Sequence, residues 1–215
     1  MTEQRARMFL VRHGATSSNL QRPYVLQGRH VNHSLSDTGK EQARCVARVL
    51  SEEPIRAVYC SELLRAHETA TAIGEHHQLV PTVVKGLHEI DVGSWEGRSW
   101  VDIEQNDPEA HAAFIAAPGT TPYLGGESYA AVLERVEPVM RRLLENHVGE
   151  TIVVVAHNVV NRAYLAHVMG LDMNRAKFLH QSNCGVNIID FAPEVGRPQL
   201  ITLNAAGHIP RSLGV

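Results

Sequence analysis

Three short aliphatic runs, residues 8–11, 57–60 and 152–156, each stop at groups able to do chemistry, and this constrains the chain more than any other feature. They end at Arg12-His13, Ser61-Glu62 and His157-Asn158. Apolar runs of four or five residues without polar alternation are what a parallel strand covered on both faces requires. Helical patterns lie between and after them. Residues 37–51 follow a capping Ser36 and carry Ala43, Val46, Ala47 and Leu50 on one face. A second helix is expected from Ser61 onward. A third should run from Glu127 to about His147, with Leu133, Val136, Met140, Leu143 and Leu144 inward, Pro138 as a bend and Gly149 past its end. A last one fits residues 159–169, closed by Gly170. Residues 82–84 form a short β-prone segment, and residues 186–191 and 200–203 read as late strands at a sheet edge.

Strand and helix in alternation predict an α/β fold, a mostly parallel central sheet with helices on both faces. Residues 92–126 break into short pieces rich in Gly, Pro and Trp, which reads as an insertion covering the substrate. No repeat, low-complexity tract or linker divides the chain, so residues 1–215 are expected to form one domain. At that length roughly 70% of the unfolded surface can be buried without disulfide or metal staples.

Composition removes several function classes. Twenty Lys+Arg against 23 Asp+Glu give a net charge of -3, so no basic excess points to nucleic acid or to an anionic membrane. The longest aliphatic run is five residues, residues 152–156, far short of a membrane span, and residues 8–11 are too short for a signal-peptide core. Cys45, Cys60 and Cys184 are odd in number and widely spaced, which suits free thiols in a reducing, cytoplasmic compartment.

Ligands in open α/β sheets bind outside the carboxyl ends of the strands. The three strand ends and the helix starting beyond Ser61 deliver Arg12, His13, Arg65 and His157 toward one edge, and residues 87–93 add carboxylates. Phosphoryl transfer needs this set. Two guanidiniums can grip phosphoryl oxygens, one imidazole can attack phosphorus, a second can neutralise developing charge, and a carboxylic acid can protonate the leaving oxygen.

The run LVRHGATSSN (residues 10–19) resembles the signature of the histidine phosphatase superfamily, in its phosphoglycerate-mutase-like branch. Leu26-Gln27-Gly28, then Leu35-Ser36 with Gly39 and Gln42-Ala43, are similar to that family's next block. Tyr59-Cys60-Ser61-Glu62-Leu63-Leu64-Arg65-Ala66 resembles its second arginine motif, and Leu87-His88-Glu89-Ile90 with Gly93-Ser94-Trp95-Glu96-Gly97 its acid block. Gly125-Gly126-Glu127-Ser128 and Val154-Val155-Ala156-His157 complete the order. The resemblance implies a phosphoglycerate-mutase-like fold with His13 as phosphoryl acceptor. It implies that Arg12, Arg65 and His157 hold the phosphoryl group, with Asn19 as an added donor. Glu89 becomes the acid that protonates the leaving oxygen and the base that then activates water, and Gln27 and Gly28 stand at the pocket entrance. It implies no metal and no organic cofactor. Two departures stand out. Asn158 follows the second histidine where the family has Gly, and either its backbone or its side chain meets phosphate. One extra residue precedes Leu35, where Asn32-His33-Ser34 replaces Asp-x-Pro.

The function expected is a metal-independent phosphomonoesterase acting on a small phosphorylated metabolite through a phosphohistidine. A mutase primed by 2,3-bisphosphoglycerate is the alternative. Residues 99–126 contain no Arg or Lys to grip a glycerate carboxylate, which favours hydrolysis. A binding protein on an inactive scaffold is the third reading, disfavoured because the five central groups are all retained. The expected partner is a small phosphate ester, and a homodimer is compatible with the sequence. Asp91 and Glu96 compete with Glu89 for the acid role. His30 with His33, and His76 with His77, lack the spacing of a metal site. His88 and His180 are candidates to line the pocket. Trp95, Trp100, Phe114 and Tyr123 belong either to an apolar substrate wall or to the core of the insertion.

Overall fold

The structure, a computed structural model, describes residues 4–214; residues 1–3 and residue 215 of the expected domain lie outside the described residues. Thirteen helices and strands run in the order β1 (Ala6–Arg12), α1 (Ser17–Leu20), α2 (Asp37–Leu50), β2 (Ile55–Cys60), α3 (Leu64–Glu75), β3 (Thr82–Val83), α4 (Trp100–Asn106), α5 (Pro108–Ala116), α6 (Tyr129–Asn146), β4 (Thr151–Ala156), α7 (Asn158–Val168), β5 (Val186–Phe191) and β6 (Pro198–Ala205), with three short 3-10 turns among them. The six strands form one sheet in the order β3-β2-β4-β1-β5-β6. The first four in this order are parallel to one another, β5 pairs antiparallel with β1, and β6 pairs antiparallel with β5.

The aliphatic runs are buried on both faces, as their lack of alternation requires. Met8 and Leu10 of β1, with Ile152 and Val154 of β4, pack into the core under α6 and α7. Phe9, Val11, Val153 and Val155 point the other way, into the core under α2 and α3. The α2 face read from the sequence is the buried one: Ala43, Val46, Ala47 and Leu50 all lie inside. Ser36 caps α2, its hydroxyl accepting from the Gly39 N–H at 3.0 Å. Helix α6 runs through Pro138 and buries Val132, Val136, Met140, Leu143 and Leu144, with Leu133 packed at the margin. No helix among the described residues is long and apolar enough to cross a membrane.

Three expectations need correcting. The second helix begins at Leu64, not Ser61, because Ser61 to Leu63 form the turn off β2, where the Ser61 hydroxyl accepts from the Leu63 N–H. Arg65 therefore sits at the second position of α3. Of the two late strands, only β6 is at the edge; β5 lies inside, bonded to β1 and β6. Residues 92–126 contain two helices, α4 and α5, that the sequence pattern concealed. Each buries one side chain, Ile103 and Phe114 respectively, too few to register as a periodic stripe. They are held by an aromatic cluster in which Trp95 meets Phe114 and Tyr123 at ring-centroid distances of 5.8 Å. The Trp95 indole N–H donates to Asp107 at 3.1 Å.

Two backbones touch where α2 meets the loop after β1. A Cβ on Gly14 would lie 2.5 Å from the Gly39 carbonyl oxygen, and one on Gly39 would run into the Ala15 carbonyl. Neither neighbour is a flexible side chain, so the contact cannot relax locally. Gly39→Ala should lower unfolding free energy by about 1–3 kcal/mol through overpacking. A denaturant midpoint matching wild type would contradict this close approach.

Candidate active site

The site is assembled by register. β1 and β4 pair in parallel with Arg12 opposite Ala156, so the next residues, His13 and His157, emerge side by side. The His13 N–H continues the ladder, donating to the Ala156 carbonyl at 3.1 Å. The two imidazole rings stand 5.1 Å apart, centroid to centroid.

The loop after His13 is fixed by side chains from four directions. Thr69 accepts from the Gly14 N–H at 3.0 Å, and Gln42 from the Ala15 N–H at 2.8 Å. The Asn183 amide donates to the His13 carbonyl at 2.9 Å, and the Ser36 hydroxyl to the Ala15 carbonyl at 2.9 Å. This satisfies the loop backbone in one geometry. His13 itself is oriented by Nδ1, 2.7 Å from the Gly14 carbonyl. A carbonyl only accepts, so Nδ1 carries the proton and the Nε2 lone pair is free.

Arg65 is fully buried. Its Nη1 and Nη2 donate to the carbonyls of Val31 at 2.8 Å and Gly28 at 3.0 Å, tying α3 to the segment between α1 and α2. Burial lowers its pKa to about 10, so it remains a cation at neutral pH. Arg12 donates from Nη1 to the Gln181 carbonyl at 2.7 Å, and burial lowers its pKa also. The Nε groups of both arginines, both nitrogens of His157 and the Asn158 side-chain oxygen are buried without a hydrogen-bond partner among the described residues. Three of these five are donors with the imidazole neutral, the two Nε–H groups and one ring N–H of His157, and an oxyanion supplies acceptors for them.

Glu89 is buried at the start of α7, where its carboxylate accepts from the Val159 N–H at 3.2 Å and from its own neighbour, the Ile90 N–H, at 2.9 Å. Its competitors are committed elsewhere. Asp91 accepts from the Gly93 N–H and faces His30 and Arg29, while Glu96 accepts from the Gly28 N–H at 2.5 Å. Arg135 clamps the acid segment, donating to the carbonyls of Gly86 and Glu89 and pairing with Glu127.

Arg12, His13, Asn19, Gln27, Glu89 and Asn158 line one polar pocket. Asn19 and Gln27 meet through Thr16, whose hydroxyl donates to Gln27 at 2.7 Å and whose N–H donates to Asn19 at 3.0 Å. Gly28 serves the backbone: a Cβ there would lie 2.7 Å from the Ile90 carbonyl oxygen. Asn158 is the first residue of α7, with His157 as its N-cap.

A second, wider lobe of about 400 Å³ opens from this pocket, sharing Arg12, Tyr24, Leu26, Tyr123, Asn158 and Val159 with it. Trp100, Phe114 and Tyr123 line it, whereas Trp95 is buried in the core, so the aromatic group divides between the two expected roles. His180 lines the lobe; His88 instead faces Glu62 at 3.3 Å. Arg162 and Lys177 also line it. The lack of basic residues in 99–126 therefore does not leave the cavity uncharged, because cations reach it from α7 and from the turn Met173–Phe178. Sequence reasoning also missed Asn183 and Arg135; a polar Asn beside Cys184 and a single Arg within α6 carried no pattern to flag them. His30 and His33 are separately engaged, with Asp91 and near Ser17 and Ser18.

A buried cationic cradle around two imidazoles, at the carboxyl edge of a parallel sheet, defines a phosphoryl-transfer protein. Residues 8–205 match the model of the histidine phosphatase superfamily (branch 1). The chain belongs to that superfamily and is a phosphatase. It is 30% identical over 203 residues to phosphoserine phosphatase 1 of Hydrogenobacter thermophilus, covering 94% of each chain. It spans about half the length of some other curated relatives. Among solved structures, Bacillus stearothermophilus YhfR superposes with a TM-score of 0.87 at 27% identity, covering 95% of this chain and all of that one. Mycobacterial glucosyl-3-phosphoglycerate phosphatase Rv2419c superposes at 0.82 and 27% identity, over 94% and 100% of the two chains.

Burial holds His13 well below its ordinary pKa of 6.5, helped by Arg65 and Arg12 and opposed by the Gly14 carbonyl. Burial does the same to His157, helped by Arg65 and His13. Both imidazoles are thus neutral when the site is free. An unfolded chain takes up protons on them near pH 6.5 while the folded chain does not, so stability must fall as pH drops below that value. The expected slope is about 1.4 kcal/mol per pH unit for each histidine. Denaturant unfolding at pH 7.5 and 5.5 checks it; stability that holds or rises on acidification contradicts buried neutral imidazoles.

Proposed function

We propose that the chain is a phosphomonoesterase that needs no metal and works through a phosphohistidine on His13. One arrangement carries the reading: an anchored, neutral imidazole with a free Nε2, in a pocket lined by Arg12, with His157 5.1 Å from it between ring centroids and with unpartnered donors on Arg12, Arg65 and His157 buried around it. The phosphoryl dianion enters this cradle and Nε2 attacks phosphorus in line with the ester oxygen. Negative charge developing on the phosphoryl oxygens is met by the two guanidiniums. His157 gains a proton as the dianion arrives, since a nearby anion favours the charged imidazole. Asn19 and Asn158 add neutral donors.

The P–O bond to the alcohol breaks as the N–P bond forms, and Glu89, as the carboxylic acid, gives its proton to the departing oxygen. It then holds the opposite charge state needed to take a proton from water, which attacks the phosphohistidine and returns His13 with release of phosphate. Gln27 and Gly28 shape the entrance. The insertion at residues 92–126 covers the substrate. Three buried free thiols, Cys45, Cys60 and Cys184, suit a reducing, cytoplasmic setting.

The relatives named above are, as their names state, phosphatases of phosphoserine and of glucosyl-3-phosphoglycerate. Those esters share a phosphoryl group on a small polar metabolite, and the reading for this chain is a substrate of that size.

His13→Ala should retain less than about one percent of wild-type turnover on a chromogenic aryl phosphate, since the nucleophile itself is lost. Brief reaction with radiolabelled phosphate ester should leave acid-labile, base-stable label on wild type and none on the variant. Activity should persist after EDTA treatment. Label on another residue, or turnover abolished by the chelator, would overturn the scheme.

A further inference from the structure

The wide lobe beyond the phosphoryl pocket has a charge pattern that phosphoryl binding does not use. Arg12, Arg162 and Lys177 line it and no carboxylate does. Arg12 lines both cavities, which leaves Arg162 and Lys177 as the cations that belong to the outer lobe alone. Arg162 is half-buried on α7; its Nε donates to the Leu179 carbonyl at 2.8 Å, its guanidinium also hydrogen-bonds the Tyr129 side chain, and no carboxylate pairs with it among the described residues. Lys177 is half-buried too, its ammonium 2.6 Å from the Ile115 carbonyl and 5.3 Å from the Phe178 ring centroid, again without a carboxylate. His180 lies on the same wall. Elsewhere on this molecule arginines of similar exposure pair with acids: Arg98 with Asp102 and Asp107, Arg135 with Glu127. The same lobe is lined by Trp100, Phe114 and Tyr123, with Phe114 and Tyr123 only 4.2 Å apart between centroids.

We propose that this lobe is a second-anion subsite: the substrate is a phosphomonoester that carries another acidic group, held by Arg162 and Lys177, on a body packed against the Trp100, Phe114 and Tyr123 wall. The inference rests on the phosphomonoesterase reading and adds what the non-transferred half of the substrate must be. The lobe's volume of about 400 Å³ exceeds what a phosphoryl group needs and lies within the range of small-molecule sites. An anion there gains two charge-assisted contacts in a partly desolvated wall, where they count for more than in water. A neutral group of the same shape leaves both cations facing it unpaired, so it is discriminated against. A carboxylate and a second phosphate share this chemistry.

The test is wild-type kcat/KM on 4-(carboxymethyl)phenyl phosphate, 4-(carbamoylmethyl)phenyl phosphate and 1,4-phenylene bisphosphate, the methylene keeping the first two leaving groups similar. The acid is expected to exceed the amide by about tenfold or more, the scale of one charged hydrogen bond. If the bisphosphate alone exceeds the amide by that margin, beyond its twofold count of reactive groups, the second anion is a phosphate. Equal rates on all three overturn the subsite while leaving the phosphatase reading intact. Release from none of them overturns that reading, and the subsite with it. Arg162→Gln keeps a donor for the Leu179 carbonyl, and Lys177→Gln lies on a half-exposed turn, so either can carry the assignment if the other fails to fold. Each should narrow the acid-to-amide ratio to within about threefold, and a ratio unchanged in the folded variant would remove that residue from the subsite.

Discussion

Pairing of β1 with β4 is the constraint on which the site depends. The two strands are far apart in sequence, and nothing local brings His13 to His157. Their parallel ladder sets Arg12 against Ala156, and the imidazoles leave adjacent strands at the same level. A slip of β1 by one residue would turn Met8 and Leu10 out of one core and bring Phe9 and Val11 into their places. Both faces are closely packed with different partners, so the hydrophobic pattern and the catalytic geometry are protected by the same energy. The strand order then matters as much as the register. β1 lies between a parallel and an antiparallel neighbour, and its carboxyl end opens into the crevice between α3, α7 and the loop before β5.

Around that ladder the chain builds rigidity from polar groups. Loops normally satisfy their backbone with water. Here Thr69, Gln42, Asn183 and Ser36 occupy the donors and acceptors of residues 13–15, and Arg65 spends two donors on the carbonyls of Gly28 and Val31. The imidazole is thereby held in one tautomer before substrate arrives. Preorganisation of this kind lowers the reorganisation needed during charge transfer. The same burial that fixes the groups keeps both histidines neutral, the state in which the proposed nucleophile keeps its lone pair.

In the proposed reading the inner pocket and the outer lobe divide recognition. The inner one draws Arg12, His13, Asn19, Gln27 and Glu89 from the sequence motifs. The outer one is made of Arg162, Lys177 and aromatic residues from α4, α5 and the segment before α6. None of these belongs to a motif, and their spacing in the chain gives no hint that they meet. Charge counted within residues 99–126 was therefore a poor guide to charge in the cavity, because a cavity is lined by whatever elements converge on it.

Local chemistry wrote much of this protein openly. The unalternating aliphatic runs imply doubly covered strands, the Ser36 cap and the α2 stripe imply one helix, and Arg12-His13 and His157 at strand ends point to a ligand edge once Arg65 and Glu89 are read with them. Glu89 was separable from Asp91 and Glu96 only by its place in a motif; their hydrogen bonds with Gly93 and Gly28 are what remove the rivals. Helices α4 and α5 stayed hidden because each contributes one buried side chain, and such helices owe their stability to the Trp95 cluster rather than to periodicity. The interior position of β5, the support of His13 by Asn183 and the cations of the outer lobe were decided by tertiary structure alone. The physical reason is that periodicity and capping act over a few residues, whereas strand order and cavity lining depend on which distant surfaces bury each other best.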